Sequence, residues 1–279
     1  MSWISNFQGF IWKYYHTRGR RFFWRNHQDP YVIFLSEIML QQTQTSRIEH
    51  RLPTFLTEFP TLESLAKAPL QKVLQQWVGL GYNRRAINLH KAAQTLYSIH
   101  DSNIPEDSSV LLQLPGIGPY TAGSIPTFAY NLPRVFVETN IRRVYIHHFT
   151  DPTQEIVDDN YILNLVELTL DRENPREWYY GLMDYGAELK TLIPNPNRRS
   201  KLYAKQSTFE GSNRQIRGAV LKICTQGTKA IHRDQLLRQV NKHTKRIIPK
   251  NEFSMVLDAL CTEGFLCKES HGPWYRVST

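Results

Sequence analysis

The sequence predicts a mainly α-helical protein: a two-lobed helical core followed by a small C-terminal α+β module of winged-helix type. Three observations lead there. Residues 6–190 carry apolar residues at helical spacing in short segments, with little strand-type alternation of Val, Ile and Thr. Inside that stretch, Leu114-Pro115-Gly116-Ile117-Gly118 followed by Pro119-Tyr120-Thr121-Ala122-Gly123 reads as a tight hairpin between two helices. Glycine tolerates positive φ, and proline suits the first helical position because its missing N–H has no partner there anyway. Beyond residue 190 the composition changes, and residues 264–268 and 274–277 alternate like a strand pair.

In chain order, residues 33–44 form an apolar helix with a polar end. Thr61-Leu62-Glu63-Ser64-Leu65 reads as a cap and a helix start. Trp77-Val78-Gly79-Leu80-Gly81-Tyr82 breaks one helix, and 84–99 forms the next. Residues 108–113 lead into the hairpin, and 158–171 and 178–190 close the helical core. Residues 190–217 hold seven basic residues (Lys190, Arg198, Arg199, Lys201, Lys205, Arg214 and Arg217) against a single acid, Glu210, and read as an extended basic connector. Three short helices follow at 217–224, 233–240 and 252–261, then strands at 264–268 and 274–277 around His271-Gly272-Pro273. The expected division is therefore a core over 1–190, a linker over 191–213 and a module over 214–279. Within the core, 26–133 is the hairpin-containing lobe, and 1–25 with 134–190 the second lobe.

With 34 Lys and Arg against 25 Asp and Glu, the 279-residue chain carries +9. That excess attracts a polyanion, although many soluble proteins are merely basic. No run approaches the roughly 18 consecutive apolar residues of a membrane helix. The opening Met1-Ser2-Trp3-Ile4-Ser5 lacks the pattern of a secretory signal. Three cysteines, Cys224, Cys261 and Cys267, make no disulfide framework, so a reducing cytoplasm is expected.

Two carboxylates stand out. Glu37 lies in Phe34-Leu35-Ser36-Glu37-Ile38-Met39-Leu40, and burial there would raise its pKa into the range of a proton donor at neutral pH. The same residue pointing to solvent from a buried helix is the other reading. Gln41-Gln42-Thr43-Gln44 suits contact with base edges and equally a solvated helix end. Glu138 follows Val135-Phe136-Val137 and precedes Thr139-Asn140, with Asn140 a candidate helix cap. Gly116, Ile117 and Gly118 would offer backbone N–H groups to an anion, and on a basic protein the natural anion is a nucleic-acid phosphate.

Five segments together resemble a known family. They are Ser36-Glu37-Ile38-Met39-Leu40-Gln41-Gln42-Thr43-Gln44, Gly79-Leu80-Gly81-Tyr82, Asn88-Leu89-His90-Lys91-Ala92-Ala93, Leu114 to Gly118, and Asn140-Ile141-Arg142-Arg143-Val144. In this order they resemble the helix-hairpin-helix DNA glycosylases, in particular the MutY-type adenine glycosylases, over roughly residues 6–190. The resemblance implies that Glu37 protonates the departing adenine, with Tyr120 lining the pocket and Asn140 orienting the catalytic groups. It further implies that Gly116 to Gly118 grip a phosphate, that Gln42 and Tyr82 wedge into the duplex, and that Trp24 and Arg25 edge the base pocket. Relatives that also cut the strand carry a lysine where Tyr120 stands, so a monofunctional hydrolase acting in base excision repair is expected. The partner implied is double-stranded DNA with adenine opposite 8-oxoguanine or guanine, met by a monomer.

Three departures from the family pattern set further expectations. Glu138 stands where the family has Asp, keeping the charge on a longer arm. No cysteine precedes Cys224, so no iron–sulfur cluster and no other metal is expected. The tail is shorter and more helical than the family's C-terminal reader of 8-oxoguanine. Arg198, Arg199 and Lys201 then become candidate DNA contacts in place of the cluster loop. A thymine or uracil mismatch glycosylase and a non-catalytic DNA-binding protein are the alternatives.

Overall fold

The computed structural model describes residues 2–151, 153, 156–204, 208–244 and 246–278. Helices dominate, as expected: α1 (Trp3–Arg18), α2 (Pro30–Leu40), α3 (Thr45–Glu58), α4 (Leu62–Ala66), α5 (Leu70–Trp77) and α6 (Arg84–Ile99) form the first half. They are followed by α7 (Ser108–Leu111), α8 (Pro119–Tyr130), α9 (Thr139–Phe149), α10 (Asp159–Thr169) and α11 (Pro175–Leu192). The C-terminal part contains α12 (Asn213–Thr225), β1 (Ile231–His232), α13 (Arg233–Thr244), α14 (Lys250–Thr262), β2 (Leu266–Lys268) and β3 (Trp274–Val277).

The chain divides into two compact units, Met1–Ile38 with Ile104–Lys205, and Met39–Asn103 with Gln206–Thr279. This corrects the expected division. The hairpin groups with the first unit rather than with residues 39–103. The C-terminal module groups with 39–103, because α12 packs on α5 and the Gln71 side-chain amide donates to the Gly227 carbonyl at 2.7 Å. Residues 191–204 are no free linker either. A 3-10 turn over Pro196–Arg199 packs on α9, and Val157 N–H donates to Arg199 O at 2.7 Å.

In the first unit, α9 and α11 pack closely over a core of Phe7, Ile11, Phe128, Phe136, Tyr145, Trp178 and Tyr179. Phe136 and Tyr179 stack with ring centroids 3.9 Å apart. Gly186 permits the approach, because a Cβ there would sit 2.3 Å from the Asn140 carbonyl oxygen. The hairpin is shorter than expected at its start, since α7 is a single turn capped by Asp107, whose side chain accepts from Ser109 N–H. Gly116 supplies the positive φ of 81° that turns the chain, and Gly118 is the N-cap of α8 with Pro119 following.

In the second unit, Thr61 and Ser64 exchange the hydrogen bonds of a capping box, bearing out the cap read from sequence. The three C-terminal helices carry a three-stranded antiparallel sheet in the order β1-β3-β2, with Leu266 opposite Val277 and Ile231 opposite Tyr275. The expected strand pair is β2 and β3. The extra strand β1 has only two residues, too few for an alternating pattern.

Candidate active site

Glu37 is buried, 4% exposed, on a helix buried along nearly its whole length. The solvent-facing reading is therefore excluded. Oε2 accepts from the Tyr120 hydroxyl at 2.9 Å and from the Ser124 hydroxyl at 2.5 Å. Those donors lie four residues apart on α8, so one face of the helix leaving the hairpin holds the carboxyl. Burial pushes the Glu37 carboxyl up to about 7, and the charge of Glu138 adds to the rise. The two hydroxyls and Arg25 oppose it. Sequence reasoning missed Ser124, whose only signal was its spacing from Tyr120.

Glu138, not Asn140, is the N-cap of α9, and this corrects the capping expectation. Its Oε1 accepts from Asn140 N–H at 2.6 Å and Ile141 N–H at 2.8 Å, and its Oε2 from the Asn140 side-chain amide at 3.2 Å. The carboxylate thus curls back onto its own helix. The group is partly accessible yet ringed by protein, so desolvation raises its pKa against the opposing amides, Arg143 and Arg142.

Behind Asn140 lies a chain of partners that motif reading did not single out. Arg143, 2% exposed, donates through Nη1 to Asn140 Oδ1 at 2.8 Å and to Gly186 O at 2.5 Å. Its Nε donates to Asn195 Oδ1 at 3.2 Å, and Asn197 donates through Nδ2 to Thr139 O at 2.8 Å. Residues 195–197 thus strap the start of α9. Arg199 in the same segment donates to the carbonyls of Asp151 and Ile146 at 2.6 and 3.2 Å, and Lys201 pairs with Asp158 at 3.4 Å. The Arg199 side chain is thus tied into the fold, which corrects its expected place on an extended linker, whereas the Lys201 side chain makes only an exposed pair. Arg198 is exposed.

Trp24 is buried and stacks on Phe22 at 4.7 Å. The Arg25 guanidinium lies over the rings of Tyr180 and Phe22, 4.2 and 4.9 Å from their centroids. Asp184 fixes it with two hydrogen bonds of 2.8 Å, and takes two more of 2.7 Å from the backbone and Nε of Arg20. Asp184 is 1% exposed and was not foreseen as a site residue. Its signal was an acid inside the apolar helix 178–190.

Glu37, Tyr120, Glu138, Asn140, Trp24 and Arg25 all belong to the first unit, with the hairpin glycines. Gly116 is exposed, whereas Ile117 is buried and its N–H donates to Leu114 O at 3.2 Å, so that N–H is not open to an anion. Gln42 and Tyr82 belong to the second unit, both exposed and both with left-handed backbone, φ 54° and 46°.

An iron–sulfur cluster held by four thiolates does not fit these residues. The three cysteines all lie in the C-terminal part, and the segment after α11 is filled by hydrogen-bonded asparagines. Among the described residues no three His, Cys, Asp or Glu side chains are grouped to hold a metal ion.

The chain is similar to known proteins. A family model described as HhH-GPD superfamily base excision DNA repair protein matches residues 35–161. The chain is 34% identical over 276 residues to the adenine DNA glycosylase of Buchnera aphidicola subsp. Baizongia pistaciae, spanning 96% of this chain and 71% of that protein. It is 32% identical over 233 residues to the adenine DNA glycosylase of Mycobacterium tuberculosis, spanning 71% of this chain and 74% of that one. Among solved structures, a thermostable thymine-DNA glycosylase superposes with a TM-score of 0.62 at 26% identity, over 66% of this chain and 86% of the other. The chain belongs to the HhH-GPD superfamily of base excision DNA repair proteins, among its adenine DNA glycosylases.

Proposed function

We propose that this protein hydrolyses the N-glycosidic bond of adenine in double-stranded DNA where adenine faces 8-oxoguanine or guanine, without cutting the strand and without an iron–sulfur cluster. The observation that carries the reading is Glu37, a buried carboxyl with its pKa near 7 beside a second carboxylate. Extruding the target base costs a few kcal/mol, and less where it is mispaired, which favours mismatches. Raised this far, the Glu37 carboxyl can hold a proton at neutral pH. Because two hydroxyls donate to Oε2, the transferable proton sits on Oε1. Moving it to a ring nitrogen of adenine neutralises the electron pair that the base takes as its bond to C1′ breaks. Glu138 then stabilises the sugar cation or adds to it, and water attacks C1′, displacing Glu138 where it has added and passing its proton to the Glu37 carboxylate that the first step left ionised. Tyr120 has no amine to form a Schiff base with the sugar. The products are free adenine and an abasic site.

The +9 charge supports a DNA partner. Among the described residues no helix is long and apolar enough to cross a membrane. A monomer working in the cytoplasm completes the proposal. Similarity to a thymine-DNA glycosylase favours a second reading, pyrimidine removal opposite guanine. Glu37 weighs against it, since a pyrimidine leaves as an anion spread over its carbonyl oxygens and gains less from an acid.

Single-turnover excision on four duplexes tests the choice: adenine opposite 8-oxoguanine, adenine opposite guanine, thymine opposite guanine, and uracil opposite guanine. Adenine release from the first two is expected. Pyrimidine release without adenine would overturn the substrate and leave the family standing. Metal analysis of the purified protein should find no stoichiometric iron.

A further inference from the structure

We infer that Arg85 is a positioning residue that sets two strained surface tips, Gln42 and Tyr82, to enter the DNA stack while the adenine is extruded. The inference rests on the adenine-excision reading above. Five non-glycine residues among those described hold left-handed backbone: Gln42, Tyr82, Asp101, Ser102 and Asn131. Three of these have short polar side chains, which tolerate that conformation by local hydrogen bonding. Gln42 and Tyr82 do not, so something around them must enforce it, and such enforced strain clusters at functional sites.

One buried guanidinium reaches both. Arg85, 8% exposed, donates through Nη1 to Met39 O at 2.8 Å and through Nη2 to Thr43 Oγ1 at 2.8 Å. These contacts bracket Gln42. The same Nη2 donates to Leu80 O at 3.2 Å and Gly81 O at 3.0 Å, the two residues before Tyr82. The guanidinium also lies 5.1 Å from the Trp77 ring and 5.8 Å from the Tyr82 ring. Arg51 donates to Val78 O in the second turn, and Arg214 of the C-terminal module reaches the Tyr82 hydroxyl at 3.4 Å.

A fork of fixed geometry is suited to tying two turns at once, whereas an ammonium is a compact donor that cannot span both sets of carbonyls. The tips it fixes are an exposed amide and an exposed aromatic ring. The first can hydrogen-bond a base edge and the second can stack on a base. Holding the two at a set separation lets both enter the stack without being ordered during the encounter.

The test compares Arg85→Lys with wild type on duplexes carrying 2-aminopurine beside the target adenine, whose fluorescence reports unstacking. Single-turnover excision is measured in parallel on a fully paired partner strand and on a partner strand gapped opposite the adenine. Arg85→Lys should lose excision on the paired duplex by about tenfold. It should lose much less on the gapped duplex, where little stacking opposes extrusion, and keep the wild-type pH profile. The 2-aminopurine rise should shrink with it. Thr43→Val removes one acceptor and leaves the buried charge in place, so it should shift the same readouts less and guards against a misfolded lysine variant. Equal losses on both duplexes, or an unchanged 2-aminopurine rise in both variants, would overturn the inference. Failure of the wild type itself to release adenine would instead overturn the reading on which it rests.

Discussion

Asn140 holds both carboxylate oxygens of Glu138, its backbone N–H on Oε1 at 2.6 Å and its side-chain amide on Oε2 at 3.2 Å. The clamp fixes a carboxylate whose arm is one methylene longer than an aspartate's and points it from the first turn of α9. Glu138→Gln should therefore abolish excision by removing the charge proposed to stabilise the sugar cation. Glu138→Asp should keep part of the rate, since the charge survives and Asp also caps helices well. Asn140→Ala should lower the single-turnover rate by about ten- to a hundredfold with little change in DNA affinity, because the lost contact positions a reacting group. An Asn140→Ala enzyme with the wild-type rate would show that the clamp is structural only.

The pH dependence follows from Glu37. Its activity should fall as pH rises through about 7, because the carboxyl must carry the proton it donates. Ser124→Ala and Tyr120→Phe each remove a hydrogen bond that favours the charged form, so each should move that inflection to higher pH. Glu37→Gln should end turnover while mismatch binding persists. A rate profile indifferent to Ser124→Ala would remove the hydroxyl from the tuning of the acid.

The same shift has a signature in stability. Glu37 is raised in the folded state, from 4.5 to about 7. The stability it contributes is complete below pH 4.5 and is lost as pH rises to about 7, amounting to about 3 kcal/mol. Glu37→Gln, which cannot ionise, should therefore gain on wild type as pH rises across that window. Urea denaturation at pH 5 and pH 8 checks it, and an equal difference at both values would contradict the burial argument.

Much of the catalytic end was legible from residue types alone. Glu37 stood out because a carboxylate is costly in an apolar run, and the hairpin because two glycines and a proline occupy positions that need them. Ser124 was illegible, since serine among small residues in Thr121-Ala122-Gly123-Ser124 reads as packing. Arg85 stands at a helix start in Asn83-Arg84-Arg85, where nothing local shows that it is buried. Its burial depends on turns that only tertiary contacts bring together. The division into units was illegible for the same reason, because α12 meets α5 across more than a hundred residues of sequence. Asn195 and Asn197 carry turn chemistry, and nothing local shows that their side chains reach α9.

Asp184 should prove a keystone of the pocket side. It is fully enclosed, and it satisfies Arg25 and Arg20 together. Asp184→Asn would leave the buried Arg25 charge without its partner, which costs about 3–5 kcal/mol. The released guanidinium would also leave its place over Phe22 and Tyr180. Chemical denaturation should show the loss. A change below about 1 kcal/mol, the range of exposed pairs, would mean that water reaches the site.

The segment after α11 offers a direct contest between its expected role and its observed one. If it were a DNA-facing linker, neutralising any of its basic residues would weaken binding to all duplexes alike. Its hydrogen bonds instead divide its residues into two sets with different expected effects. Asn197 supports the first turn of α9 through Thr139 O, so Asn197→Ala removes that contact and should cost about 0.5–1.5 kcal/mol of stability. It should also slow excision, because that turn carries Glu138 and Asn140, while leaving the salt dependence of DNA binding unchanged. Arg198 is exposed in the same 3-10 turn, and Arg198→Ala should reduce the slope of log K against log salt by about one without altering the single-turnover rate. Arg199→Ala should behave like Asn197→Ala rather than Arg198→Ala, because its guanidinium is bound to the carbonyls of Asp151 and Ile146. If Arg199→Ala lowers the salt slope and leaves stability intact, the side chain leaves those carbonyls for a phosphate when DNA binds.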